Sequence, residues 1–206
     1  MHATRNTVDL SGIHPSFRAE IAAEATRLQS LWTPPLYLSV GAPDSRDPRT
    51  GDAMAWTDNQ DAPYAVTLNA GKYGRHADAV KTRAEIAESV SEHFSFETSP
   101  ADILTHEYGH VLHGHLSDRE KDAFASELLT LTRLPASTPD EWYGAVQFGS
   151  MVGAAMFKPA NYRRLSMYGV EGGPFEAMAE AFAALNKRPR SDAARIAAKY
   201  IGKFHR

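Results

Sequence analysis

His106 and His110 stand four residues apart, with Glu107 beside the first, in the segment His106-Glu107-Tyr108-Gly109-His110. On a helix, positions i and i+4 share one face, so both imidazoles can point at one metal ion. Neutral imidazoles suit Zn²⁺. A carboxylate one step round is placed to take a proton from a water beside that ion, which is general-base chemistry for amide hydrolysis. A solvent-facing helix can carry the same three residues by chance, so the flanking sequence decides. Ile103, Leu104, Val111 and Leu112 give the segment an apolar side. Polar groups on a partly buried helix need partners.

Two histidines do not complete a catalytic zinc site, which takes three protein ligands and leaves one position open. The downstream donors are His113, His115, Glu171, Glu176 and Glu180. An H-E-x-x-H-x-x-G-x-x-H continuation is absent: His113 stands where its glycine belongs and Leu116 where its third histidine would fall. His113 shares the face of the pair but lies a turn further along, and with His115 reads as an ordinary polar residue of the last turns. Glu176 and Glu180 are the better placed candidates. They are four apart in Glu176-Ala177-Met178-Ala179-Glu180-Ala181-Phe182, where the alanines permit the close helix approach that a short glutamate needs to reach a metal. An Ala-rich surface helix with two solvated glutamates has the same pattern.

Taken in order, His106-Glu107-Tyr108-Gly109-His110, Tyr168-Gly169 and Glu176-Ala177-Met178-Ala179-Glu180-Ala181-Phe182 resemble the gluzincin metallopeptidases. The likeness is to the branch of anthrax lethal factor and related toxin-type or phage-borne peptidase domains, which show H-E-F-G-H, a Y-G pair and E-F-F-A-E-A-F. It spans roughly residues 64–185. The resemblance implies that His106, His110 and Glu176 bind zinc, that Glu107 is the general base, and that Glu180 orients a ligand imidazole. It also implies that Tyr168 donates a hydrogen bond to the oxyanion, with His113, His115 or Tyr162 as the alternatives. The span from Tyr168 to Glu176 is one residue longer than in that branch, and Gly172-Gly173 is a natural place for the extra residue.

These side chains need elements to hold them. Ser99 as N-cap, Pro100 at the first helical position and Asp102 two residues on predict a helix over about 100–116. Phe17, Ile21, Ala25, Leu28 and Trp32 recur at helical spacing over 15–32, ended by Pro34-Pro35. Residues 36–40 and 64–69 read as strands. The second precedes the motif helix, so Tyr64, Val66 and Leu68 are expected to lie on the sheet edge to which an extended peptide adds by main-chain hydrogen bonds. Residues 41–62 are rich in Gly, Pro and Asp and read as largely loop. Further helices are predicted over about 77–95, from the Ser117/Glu120 capping box to about 131, from Thr138 on, over 174–186 and over 192–204.

The plan, with strands early and helices late, predicts an α+β fold, zincin-like by the resemblance. The 206 residues suffice for a single domain, with 1–13 an irregular lead-in and 117–165 a helical insertion between the two ligand-bearing helices. Net charge is −3 with mixed signs, which gives no electrostatic case for nucleic acid or an anionic membrane. Cysteine is absent, so neither disulfides nor thiolate ligands enter. The first ten residues lack an apolar core, and no apolar run reaches spanning length. A cytoplasmic protein, or one exported by a non-Sec route, is expected. The reading is a zinc-dependent endopeptidase acting on a protein or peptide, the alternative being an inactive zinc-binding structural or interaction domain. A toxin-like effector shares the chemistry of the first.

Overall fold

The helix that carries the histidine pair is held from its first turn. The computed structural model describes residues 8–43, 52–58, 64–91, 97–132, 138–147, 166, 169, 172–187 and 191–206. The helix, α4, runs Pro100–Gly114 in chain order after α1 (Pro15–Leu31), β1 (Tyr37–Gly41), β2 (Ala55–Thr57), β3 (Ala65–Asn69), α2 (Ala70–Tyr73) and α3 (Ala79–Ser91). Ser99 Oγ accepts from the Asp102 amide at 3.2 Å, and Asp102 Oδ2 accepts from Ser99 Oγ at 2.8 Å and the Thr98 amide at 2.9 Å. This reciprocal cap satisfies amides that the first turn leaves without helical partners.

Beyond α4 lie α5 (Asp118–Thr132), α6 (Pro139–Gln147), α7 (Gly173–Lys187) and α8 (Asp192–Ile201), with a 3₁₀ turn at Gly202–Phe204. The Ser117/Glu120 capping box forms as its spacing predicts, with Glu120 Oε2 accepting from the Ser117 amide at 2.9 Å. Ser191 caps α8 through the Ala194 amide. The periodic residues of α1, namely Phe17, Ile21, Ala25 and Leu28, are all buried. Trp32 pairs with His205, and the Arg206 amide donates to Leu31, so the end of the chain is tied to the end of α1.

Neighbours enclose α4 on several sides: α1, α7, and the sheet through β2 and β3. Leu104, Tyr108, Val111 and Leu112 are fully buried. Full burial of such side chains contributes roughly 1.5–3 kcal/mol each, which offsets the cost of burying polar residues on the same helix. Helix α7 comes closest. A Cβ on Gly109 would lie 2.7 Å from the Ala179 Cα, so glycine on one helix and alanine on the other are what allow this separation. Gly173, with φ 80°, takes the left-handed conformation that turns the chain into α7.

The sheet corrects one expectation. Its order is β1-β3-β2, with β3 parallel to β1 and antiparallel to β2. The strand predicted over 64–69 therefore lies in the middle and offers no free edge. Val66 and Leu68 are fully buried, and Tyr64 packs its ring beneath Gly114 while its hydroxyl donates to the Gly114 carbonyl at 3.0 Å. Alternation of apolar residues reports burial of one face, and an inner strand alternates as an outer one does. The strand at the edge nearer the motif is β2, a three-residue strand inside the stretch expected to be largely loop. The lead-in also has fixed points: Val8 bridges Leu38, and Ile13 bridges Gly74 and is fully buried. The mixed α+β class agrees with the sequence. Among the described residues no helix is long and apolar enough to cross a membrane.

The Gly109–Ala179 approach sets a test of the packing. Gly109→Ala is expected to force α4 and α7 apart, at the 1–3 kcal/mol that overpacking typically costs, about 2–4 °C of Tm per kcal/mol for a chain of this size. Thermal unfolding checks it, and a parent-like Tm would show that the helices do not meet so closely.

Candidate metal centre

Two helices bring the donors together. His106 and His110 project from α4 with ring centroids 4.9 Å apart. Glu176 enters from the first turn of α7, its Oε2 lying 3.1 Å from His106 Nε2 and 3.2 Å from His110 Nε2. The donor atoms of these three residues all lie within 4.8 Å of one another. A tetrahedral ion with bonds of about 2.0–2.1 Å sets its donors roughly 3.3 Å apart, so the spacing fits a small divalent cation. Phe175 stacks on the His110 ring at 3.9 Å between centroids and 13° between planes, which fixes that ring's orientation.

Charge balance points the same way. His106, His110, Glu107, Glu97 and Glu180 are all buried, and Glu176 nearly so. Four carboxylates thus face two imidazoles in a region shielded from water, an excess of negative charge that only protons or a cation can offset. Burial disfavours the charged form of Glu176, but the two imidazoles outweigh it and hold the carboxyl well below the usual range. Burial likewise opposes a charged His106, yet Glu97, Glu176 and Glu180 together raise its pKa well above the ordinary value.

Glu107 sits one step round α4, where the motif places it. Its Oε2 accepts from Thr57 Oγ1 at 2.6 Å, and the same hydroxyl lies 3.0 Å from the Glu107 carbonyl. Thr57 is the last residue of β2, so the sheet edge and the carboxylate are directly linked. Burial raises the Glu107 pKa, while the two imidazoles and the Thr57 hydroxyl pull it down.

Glu180 approaches His106 from the second turn of α7, with Oε1 at 3.5 Å from Nδ1. A closer partner is one the sequence reading missed. Glu97 Oε1 lies 2.9 Å from the same nitrogen, and Glu97 is itself buried. Burial and the neighbouring Glu97 raise the Glu180 carboxyl to about 8. No periodicity marks Glu97, which precedes the α4 cap in a short connection; the only signal was its nearness in sequence to the motif.

His113 and His115 do not join the donor set. His113 is buried, and burial, with His110 and Lys121 nearby, lowers it to about 3, so it is a neutral imidazole. His115 packs edge-on against the Tyr64 ring. Tyr168, Tyr162 and Glu171 lie outside the described residues, although Ser166 and Gly169 beside Tyr168 are both buried. Compared with protein-family models, curated proteins and solved structures, the chain matches none.

The donor set predicts uptake of one zinc ion per chain. Metal analysis after zinc loading and desalting is expected to give near-stoichiometric zinc in the parent and little in His106→Ala. Full zinc occupancy in Glu176→Ala would remove Glu176 from the ligand set.

Proposed function

We propose that the chain is a zinc-dependent endopeptidase of gluzincin type. One observation carries the reading: the two imidazoles and the Glu176 carboxylate come together, and Glu107, a carboxylate that is not one of these donors, is buried close enough to feel all three. A site that only braces a fold has no use for that fourth group. The ordered resemblance of the three motifs to lethal factor-like peptidases supports the same conclusion.

His106, His110 and Glu176 would hold the ion. Zinc bound there supplies Lewis acidity toward a carbonyl oxygen and acidifies a nearby water. Glu107 then takes the proton from the attacking water and delivers it to the leaving amine. Thr57 holds Glu107 by one oxygen and leaves the other to reach the water. The resemblance assigns to Tyr168 the hydrogen bond that the developing oxyanion requires. The edge for an extended substrate passes from β3 to β2, whose last residue touches the general base; main-chain pairing there would set a peptide beside Glu107.

The decisive variant is Glu107→Gln. It is expected to keep zinc and fold and to lower hydrolysis of any cleaved peptide by about 10²–10⁴-fold, the usual share of a general base. Zinc uptake and kinetics measured on one preparation separate the two readings. Undiminished hydrolysis would overturn the mechanism, whereas a parent that binds zinc and cleaves no peptide across a broad library would favour the structural zinc domain.

Tyr168→Phe tests the oxyanion role. It is expected to lower kcat by on the order of 10²–10³ with little change in KM, because the bond forms only in the transition state. Unchanged kcat in steady-state kinetics would pass the role to His113, His115 or Tyr162.

A further inference from the structure

We propose that Glu97 is the positioning residue for His106, the group that sets its tautomer and ring orientation for metal binding. The inference rests on the metal-centre reading above and adds a residue that no motif contains.

The two nitrogens of the His106 ring face different partners. His106 Nε2 faces the donor set, 3.1 Å from Glu176 Oε2. For its lone pair to bind a cation, the ring proton must sit on Nδ1. That nitrogen lies 2.9 Å from Glu97 Oε1, a charge-assisted hydrogen-bond distance, between two buried groups. A carboxylate accepting the Nδ1 proton selects the required tautomer, prevents ring rotation and makes Nε2 more basic.

Glu180 competes for the same proton. Its Oε1 is 3.5 Å from Nδ1, a longer contact than that of Glu97, and the Ser166 hydroxyl is a second neighbour of the same carboxyl. One N–H makes one strong bond, and the shorter contact takes it. Glu180 is therefore the reserve acceptor, although it lies in the recognisable motif and Glu97 does not.

Glu97 is also well anchored. The next residue, Thr98, donates to Asp102 Oδ2 through its amide at 2.9 Å and its hydroxyl at 2.8 Å. Ser99 and Asp102 close the cap of α4 between them. The network that starts the helix thus fixes the segment bearing Glu97, and His106 lies on the second turn of that helix. The acid adjoins the cap in sequence and meets the imidazole in space, which ties the geometry of His106 to the point where α4 begins.

The experiment measures zinc affinity by chelator competition in the parent, Glu97→Ala, Glu97→Gln and Glu180→Ala. The imidazole tautomers are read by long-range ¹H–¹⁵N NMR of the zinc-loaded proteins. Loss of such an orienting carboxylate is expected to weaken zinc binding about 10–100-fold in Glu97→Ala. Glu97→Gln keeps an acceptor oxygen and is expected to fall between it and the parent; it also serves if the alanine variant fails to fold. Glu180→Ala is expected to lose less than Glu97→Ala. The His106 Nδ1–H signal of the parent is expected to shift in both Glu97 variants.

Parent-like affinity and an unshifted His106 signal in both Glu97 variants would overturn the Glu97 role and leave the metal centre standing. A Glu180→Ala loss exceeding that of Glu97→Ala would overturn it in favour of Glu180. A parent that takes up no zinc overturns the metal reading and this inference together. Two zinc ions per chain, one of them lost in both Glu97→Ala and Glu180→Ala, would make the Glu97–Glu180 pair a second cation site and overturn the positioning role.

Discussion

Burying three ionisable side chains within five residues of one helix is the constraint on which the rest of the structure depends. His106, Glu107 and His110 expose 4%, 6% and 3% of their surface. An unpaired buried charge costs several kcal/mol, so each group must find partners that its own helix cannot supply. Three neighbouring segments supply them. The connection before α4 supplies Glu97, β2 supplies Thr57, and α7 supplies Glu176 and Glu180. The architecture amounts to a set of polar partners delivered around α4, and the apolar burial of that helix holds the set in place.

Delivery depends on how near the elements come. A glutamate reaches a shared point with two histidines only if its helix runs close to theirs. Gly109 removes a side chain from the α4 surface, and Ala179 faces it from α7. The same face of α7 carries the bulkier Phe182 and then Ala183, both buried, so small residues set the approach and one aromatic ring fills the space beside it. Phe182 reaches the Trp32 ring in an edge-on contact at 5.2 Å. The packing that closes the core behind the site and the packing that brings Glu176 forward are one interface.

The site was legible in the sequence where local rules govern it. Helical spacing alone puts His106 and His110 on one face, and the Ser99-Pro100-Asp102 cap announces where their helix begins. Glu176 was readable because a carboxylate pair among alanines carries both chemistry and a packing signature. What escaped depends on contacts distant in sequence or lacking a period. Strand β2 has three residues inside a Gly-, Pro- and Asp-rich stretch, and only pairing with β3 makes it a strand. The alternation of β3 revealed a buried face and was silent about its neighbours, so the free edge was assigned to the wrong strand. Glu97 belongs to no periodic pattern, and nothing but the fold places it against His106.

The central claim, that α4 and α7 jointly make a metal centre from His106, His110 and Glu176, is tested most directly by X-ray absorption at the zinc edge on the loaded protein. The account predicts two imidazole nitrogens at about 2.0–2.1 Å and a carboxylate oxygen at about 2.0–2.2 Å, with a light-atom ligand in the remaining position. A zinc shell with no imidazole scattering, or with that of a single ring, would contradict it.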